Sequence, residues 1–145
     1  MTVEQIIRFV ESLGGVLTLR PSAGDGSPEI AWDDVFFHYA PDGVVPQGQP
    51  FATIVTKDYP QEPSSRLGDG VFRVNLDAGR GRQGPADDPT VRDLVIPHPV
   101  YGRLGWVSIV APGPRTTTEL PVLLTDAHAR ARRHWERRRS LETRE

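Results

Sequence analysis

The stretch Pro50-Phe51-Ala52-Thr53-Ile54-Val55-Thr56-Lys57-Asp58-Tyr59-Pro60 has the pattern of a strand that runs out into a proline-closed loop. Its first half is apolar or β-branched almost throughout, which favours a strand covered on at least one face. Its second half places the only lysine of the chain beside an acid and a phenol. We therefore predict the central strand of a sheet here, with a candidate site where that strand ends.

Length and composition restrict the class of protein. The chain has 145 residues, a formal net charge of −2 and no cysteine. One domain is expected at this length, and disulfides, zinc–thiolate sites and thiol nucleophiles are excluded. Neither a secretory signal nor an apolar stretch long enough for a membrane span is found, so we expect a cytoplasmic location.

Hydrophobic periodicity predicts a helix at each end of the chain. Thr2 and Gln5 form a capping box before an apolar stripe that ends at a glycine pair. The second helix should begin near Thr118 and bury a stripe of leucine, alanine and tryptophan side chains. A single domain is then expected to span residues 1–139, followed by a frayed polar tail at 140–145.

Alternating apolar and polar residues predict the strands between these helices. We expect one helical turn at 90–95 and strands at 16–20, 32–40, 51–56, 71–78 and 105–111. Several of the connections are hairpin-type turns. This order of elements favours an α+β domain, in which a single antiparallel, curved β-sheet is flanked by the N-terminal and C-terminal helices.

Two predicted strands carry the first group of candidate site residues. Arg73, Asn75 and Asp77 share one strand face at period two, and Lys57 continues one face of the central strand. If those faces adjoin, the four side chains line a polar wall that could hold a carboxylate or a phosphate. The alternative is an ordinary solvent-facing sheet surface with cross-strand charge pairs.

A stiff loop carries the second group. His98 lies between two prolines, and Tyr101 and Trp106 follow it within a few residues. A rigid loop with a titratable imidazole is a reasonable place for a site. The full set of residues that we predict to bind a ligand is Lys57, Tyr59, Arg73, Asn75, His98, Tyr101 and Trp106.

These residues are compatible with two alternative binding functions. The first is a non-enzymatic ligand-binding or interaction protein, whose partner is a small molecule or a protein held at the polar and aromatic sheet end. The second is a nucleic-acid-binding domain that uses Arg130, Arg133 and Arg137 on the last helix and the loop arginines Arg80 and Arg82. The three helix arginines should share one face, opposite the buried stripe; the acidic net charge favours a merely solvated face.

A small enzyme with His98 as general base is the third hypothesis, with Lys57 or Arg73 holding an anionic substrate. The sequence contains no nucleophile motif, no phosphate-binding loop and no recognised spacing of metal ligands. We therefore predict no specific catalytic residue, no cofactor and no metal.

Several blocks of the chain resemble a family of small uncharacterised bacterial domain proteins. The resemblance covers most of the chain and lies in the blocks 36–43 (Phe-Phe-His-Tyr-Ala-Pro-Asp-Gly), 50–60, 70–75 (Gly-Val-Phe-Arg-Val-Asn), 98–102 (His-Pro-Val-Tyr-Gly) and 105–108 (Gly-Trp-Val-Ser). More remotely, the chain is similar to the MmcQ/YjbR-like domains. That similarity implies a fold reminiscent of a double-wing DNA-binding domain and assigns no biochemical role. A short amphipathic helix that it implies near 81–89 is replaced here by a Gly/Pro/Asp loop.

Overall fold

A computed structural model describes residues 1–79 and 87–143 of the chain. In this part, six strands lie between two helices along the chain. The elements in order are α1 Val3–Ser12, β1 Val16–Leu19, β2 Val35–Tyr39, β3 Ala52–Val55, β4 Arg73–Asp77, β5 Ile96–Pro97, β6 Trp106–Val110 and α2 Glu119–Thr143. Single 3-10 turns lie at Glu29–Ala31 and Gly102–Leu104. The predicted domain limits stay a prediction, and most of the Gly/Pro/Asp loop at 81–89 lies outside the described residues.

The strands form one antiparallel sheet in the order β1-β2-β3-β4-β6-β5. β3 and β4 are the two central strands, and their register pairs Thr53 with Asn75 and Val55 with Arg73. The predicted α+β fold, with a single curved antiparallel sheet and a helix at each end of the chain, is confirmed. The strand predicted from the Phe51–Val55 pattern lies at the centre of the sheet.

The capping box predicted for α1 is present. The hydroxyl of Thr2 accepts a hydrogen bond from the backbone N–H of Gln5 (3.2 Å), and the Gln5 side chain accepts one from the N–H of Thr2 (2.8 Å). Two otherwise unpaired amides are thereby satisfied at the start of the helix. The helix then turns its apolar side, with Ile6, Ile7 and Val10, into the core.

Both helices pack against the same face of the sheet. Alternate strand residues point to that face and are buried with the helix side chains: Val35, Phe37, Ala52, Ile54, Val74, Leu76, Val107 and Ile109. Burying each large apolar side chain of this kind contributes about 1.5–3 kcal/mol relative to leaving it exposed. This helix-covered face therefore holds the main hydrophobic core. The opposite face is covered by loops.

One local prediction is wrong, and one strand was not predicted. Residues 90–95 contain no helical turn; Asp93 instead accepts hydrogen bonds from the backbone N–H groups of Gly113, Arg115 and Thr116 and from the Thr116 hydroxyl. Burial alone would raise the pKa of Asp93, but these hydrogen bonds outweigh it and lower the pKa to about 2. The segment Ile96–Pro97 forms an additional edge strand. The sequence pattern did not predict it because proline is uncommon within strands except at sheet edges.

Gly15 closes the turn after α1 at a position where a side chain does not fit. Its φ is +67°, and a Cβ there would lie 2.6 Å from Cε2 of Tyr39, whereas Gly14 has a φ of +88° and nothing within 4 Å. We expect Gly14→Ala to lower the free energy of unfolding by about 1 kcal/mol through backbone strain. Gly15→Ala should lower it by about 2–4 kcal/mol because steric overlap adds to that strain. Urea denaturation measures both; equal losses would show that the overlap with Tyr39 is absent.

Candidate ligand-binding site

A cavity of about 370 Å³ lies on the loop-covered face of the sheet. Its wall includes six of the seven residues predicted to bind a ligand: Tyr59, Arg73, Asn75, His98, Tyr101 and Trp106. They come from the loop after β3, from β4, from the segment that joins β5 to β6, and from the first residue of β6. The sheet topology brings these separate segments together, and a ligand-binding role for them remains a prediction.

Lys57, the seventh predicted residue, is not part of the cavity wall. Its ammonium group donates hydrogen bonds to the backbone carbonyls of Ile30 (2.9 Å) and Trp32 (2.5 Å) and lies 3.2 Å from Oδ1 of Asp34. Because β3 ends at Val55, strand alternation no longer sets the direction of the Lys57 side chain. The structure therefore places Lys57 outside the wall that the other six residues form, beside the Asp34 carboxylate that also binds the Tyr59 hydroxyl.

Asp34 is a fully buried carboxylate that fixes the start of the loop after β3. Its Oδ1 accepts hydrogen bonds from the backbone N–H (2.8 Å) and the hydroxyl (2.9 Å) of Thr56, and its Oδ2 accepts one from the Tyr59 hydroxyl (2.6 Å). Burial, and then this hydrogen bond, raise the pKa of Tyr59 far above its usual value. Sequence reasoning missed this role, because nothing in the pair Asp33-Asp34 distinguishes a buried acid from a solvated one.

Arg73 ties the loop to the sheet at the cavity wall. Its side chain is 3% exposed, and its guanidinium donates to the hydroxyl of Ser65 (2.9 Å) and to the carboxylate of Glu62 (3.0 Å). Asp58 holds the same loop internally by accepting from the backbone N–H of Ser65 (2.9 Å). The cavity wall therefore contains a buried cation whose charge is balanced by one loop carboxylate.

His98 is buried in the cavity wall, with the orientation of its ring fixed. Nδ1 accepts hydrogen bonds from the backbone N–H groups of Val100 (2.9 Å) and Tyr101 (3.0 Å), so the neutral ring carries its hydrogen on Nε2. Burial, and secondarily the charge of Arg73, lower the pKa of His98 to about 3. The ring is thus neutral near pH 7 and its one lone pair is occupied. This arrangement opposes the hypothesis that His98 acts as a general base.

Asn75 joins a hydrogen-bonded row that crosses three strands. Its Nδ2 donates to the hydroxyl of Thr53 (3.1 Å), and its Oδ1 accepts from the hydroxyl of Ser108 (2.7 Å). Asn75 is 2% exposed and Ser108 is fully buried. Because both amide ends are engaged, the Asn75 side chain is held in one orientation at the cavity wall.

Comparison with known protein families gives a match over almost the whole chain. The model of the family DUF6194, described as a family of unknown function, matches residues 1–140. The chain belongs to this family. The resemblance to uncharacterised domain proteins is thereby confirmed at the level of an uncharacterised family. No curated protein and no solved structure matches the chain.

In this member of DUF6194, the helix arginines predicted to bind nucleic acid are not equivalent. Arg130 is half-buried and donates to a backbone carbonyl at the end of β4 (2.6 Å), whereas Arg133 and Arg137 are exposed. The expectation that all three lie on a solvent face opposite the buried stripe is wrong, because Arg130 packs against the sheet. The loop arginines Arg80 and Arg82 lie outside the described residues.

A second cavity of about 360 Å³ lies between α2 and the connection from β2 to β3. His38, Asp77, His134 and Arg138 contribute polar groups to it. Burial lowers the pKa of His38. Its wall also includes Gln49, Pro50 and Trp106, which line the first cavity as well. The two cavities therefore share part of one wall.

Within residues 1–79 and 87–143, no group of three His, Asp or Glu side chains is placed to hold a metal ion. The helices of that part of the chain are all too short or too polar to cross a membrane.

Proposed function

We propose that this member of DUF6194 is a non-enzymatic protein that binds a small molecule in the cavity on the loop-covered face of the sheet. The observation that carries the proposal is the convergence of Tyr59, Arg73, Asn75, His98, Tyr101 and Trp106 on one cavity of about 370 Å³. Small-molecule sites are typically clefts of roughly 300–1,000 Å³, with apolar and aromatic walls and a few placed polar groups.

The polar groups of the wall are already held in place without a ligand. Hydrogen bonds fix the side chains of Arg73, Asn75 and His98, each of which is at most 3% exposed. A preorganised site loses less conformational entropy on binding, so this rigidity supports a binding role. The absence of an available base at His98 favours binding over catalysis.

Titration of the ¹⁵N-labelled protein with mixtures of small molecules tests this proposal by NMR. We expect chemical-shift changes to cluster at residues 73–75 and 98–106, and a ligand at a hundred times its Kd should raise the free energy of unfolding by about 2.7 kcal/mol. Trp106→Leu should abolish these changes. Trp32→Leu is the matched control, because Trp32 lines neither cavity described above. Shifts confined to other surfaces, or binding that survives Trp106→Leu, would refute the proposal.

We also propose that the chain is a remote relative of the MmcQ/YjbR-like domains. A bacterial origin and a cytoplasmic location are proposed with it. The order of elements supports the kinship: a short N-terminal helix, a curved antiparallel sheet and a C-terminal helix. Superposition of an experimental structure of this chain on an MmcQ/YjbR-like domain tests it. A different strand order in the two sheets would remove the kinship and leave the binding proposal untouched.

A further inference from the structure

The imidazole of His98 presents one fixed hydrogen-bond donor. Val100 and Tyr101 occupy its Nδ1, so Nε2 carries the hydrogen. Nε2 has no hydrogen-bond partner among the described residues. Within the described residues, the side-chain atoms that are fully enclosed and lack a partner are Nε of Arg73 and Nε of Arg130. Nε2 of His98 is not one of them. Nε2 therefore faces open space, and the open space beside His98 is the cavity.

Asn75 and Arg73 add donors to the same wall. The Oδ1 of Asn75 is taken by the Ser108 hydroxyl, while only one of the two Nδ2 hydrogens is used, on Thr53. The guanidinium of Arg73 has five N–H bonds, and its described hydrogen bonds are one to Ser65 and one to Glu62. An oxygen atom of a ligand can accept from the accessible donors of this wall in place of water.

The acceptors of the wall are partly engaged. Oε1 of the half-buried Glu62 accepts from Arg73, and the phenol of Tyr59 uses its hydrogen on Asp34. Gln49 and Gln61 are exposed or half-exposed residues of the wall whose amides can turn either end to a ligand. The buried part of the wall is therefore richer in hydrogen-bond donors than in free acceptors.

Aromatic rings surround these donors. The ring centroids of His98 and Tyr101 lie 4.9 Å apart, with an interplanar angle of 37°. The indole of Trp106 is edge-on to His98, with a centroid distance of 6.4 Å and an interplanar angle of 84°. Such surfaces favour contact with another flat ring, whether stacked or edge-to-face. The wall thus combines a preference for a planar molecule with a need for acceptor atoms.

We infer that the cavity selects a planar, conjugated molecule that carries a carboxylate or an amide carbonyl, and that it rejects a cation of the same shape. The inference rests on the proposed function and adds the chemical class of the ligand. The ligand oxygen accepts from Nε2 of His98 and from the free Nδ2 hydrogen of Asn75, and its ring lies against Tyr101 and Trp106. A cationic head group would place further N–H donors against the donors of His98 and Asn75.

Benzoate, benzamide and benzamidinium test the inference, because the three probes share one size and shape and differ only in head-group charge and hydrogen bonding. We expect NMR titration to give a Kd for benzoate and for benzamide that is at least tenfold lower than for benzamidinium. Benzamide should shift the Nε2–H signal of His98 more than its Nδ1 signal. Equal or tighter binding of benzamidinium in this cavity would overturn the inference and leave the proposed function standing. If none of the three probes binds, the inference also fails, while the broader mixture experiment still decides the proposed function.

Replacing His98 by asparagine distinguishes the hydrogen-bonding roles of the two ring nitrogens. The Asn Oδ1 can take the place of Nδ1 as acceptor for Val100 and Tyr101, but the donor at Nε2 is lost. We expect His98→Asn to weaken benzamide binding at least tenfold, and His134→Asn, outside this cavity, to leave the Kd unchanged. Unchanged binding in His98→Asn would overturn the inference. If that variant fails to fold, the ring-nitrogen shifts of the wild-type protein still decide it.

Discussion

Replacing Asp34 by asparagine should lower the free energy of unfolding by about 3–5 kcal/mol. The carboxylate is fully buried, accepts hydrogen bonds from Thr56 and Tyr59, and lies 3.2 Å from the ammonium group of Lys57. An amide of the same shape accepts at one end only, so with its oxygen toward Thr56 its NH₂ group no longer accepts the hydrogen of the Tyr59 hydroxyl. It also leaves Lys57 without its counter-ion. Urea denaturation followed by circular dichroism measures the loss.

The neighbouring acid provides a matched control for this prediction. Asp33 is exposed and has a φ of +69°, which asparagine tolerates, so Asp33→Asn should change the free energy of unfolding by no more than about 0.5 kcal/mol. Adding Lys57→Met to Asp34→Asn should restore part of the stability, because it removes the uncompensated charge. Equal losses for the two single Asp variants would contradict the buried ion pair.

The second large effect is a loss of stability in mild acid caused by His98. Its folded-state pKa of about 3 lies below the unfolded value of about 6.5, so the unfolded chain binds more protons between those two pH values. The contribution of His98 is therefore fully present above about pH 6.5 and is lost progressively as the pH falls. Between pH 6.5 and pH 4.5 we expect it to lower the free energy of unfolding by about 2–3 kcal/mol.

A comparison of variants isolates this contribution from that of the carboxylates. His98→Asn should lose about 2–3 kcal/mol less than the wild-type protein over the same pH interval, because asparagine does not titrate. His134→Asn, which removes an exposed histidine, should keep the wild-type dependence. An NMR titration that showed His98 protonating near pH 6.5, or equal acid losses in all three proteins, would rule out the buried neutral ring.

The parts of the fold that the sequence predicted well depend on local patterns. The capping box of Thr2 and Gln5 places the start of α1 within a residue, and the alternation from Arg73 to Leu76 assigns these side chains of β4 to the correct faces. Asp77, which was predicted to share the polar wall, lines the second cavity instead. The same alternation brings Arg73 and Asn75 to one wall. The return of the chain from β5 to β6 then adds His98 and Trp106.

What the sequence could not predict depends on contacts between distant segments. Lys57 lies outside the cavity wall because its ammonium group is bound by two backbone carbonyls and by the buried carboxylate of Asp34, 23 positions earlier in the chain. Asp93 replaces an expected helical turn because backbone amides ahead of α2 bind its carboxylate. Arg130 turns to the sheet because a backbone carbonyl at the end of β4 accepts its N–H. None of these partners is visible in the spacing of residues along the chain.

The alternation along β4 directs its side chains into two different environments. In β4, Val74 and Leu76 belong to the hydrophobic core, whereas Arg73 and Asn75 belong to the cavity wall. Under the proposed function, substitutions at Arg73 or Asn75 would change ligand preference without altering the core. Each of these side chains also holds buried or half-buried partners, Ser65 and Glu62 for Arg73 and Thr53 and Ser108 for Asn75, so a redesign of this face has to change each hydrogen-bonded group together.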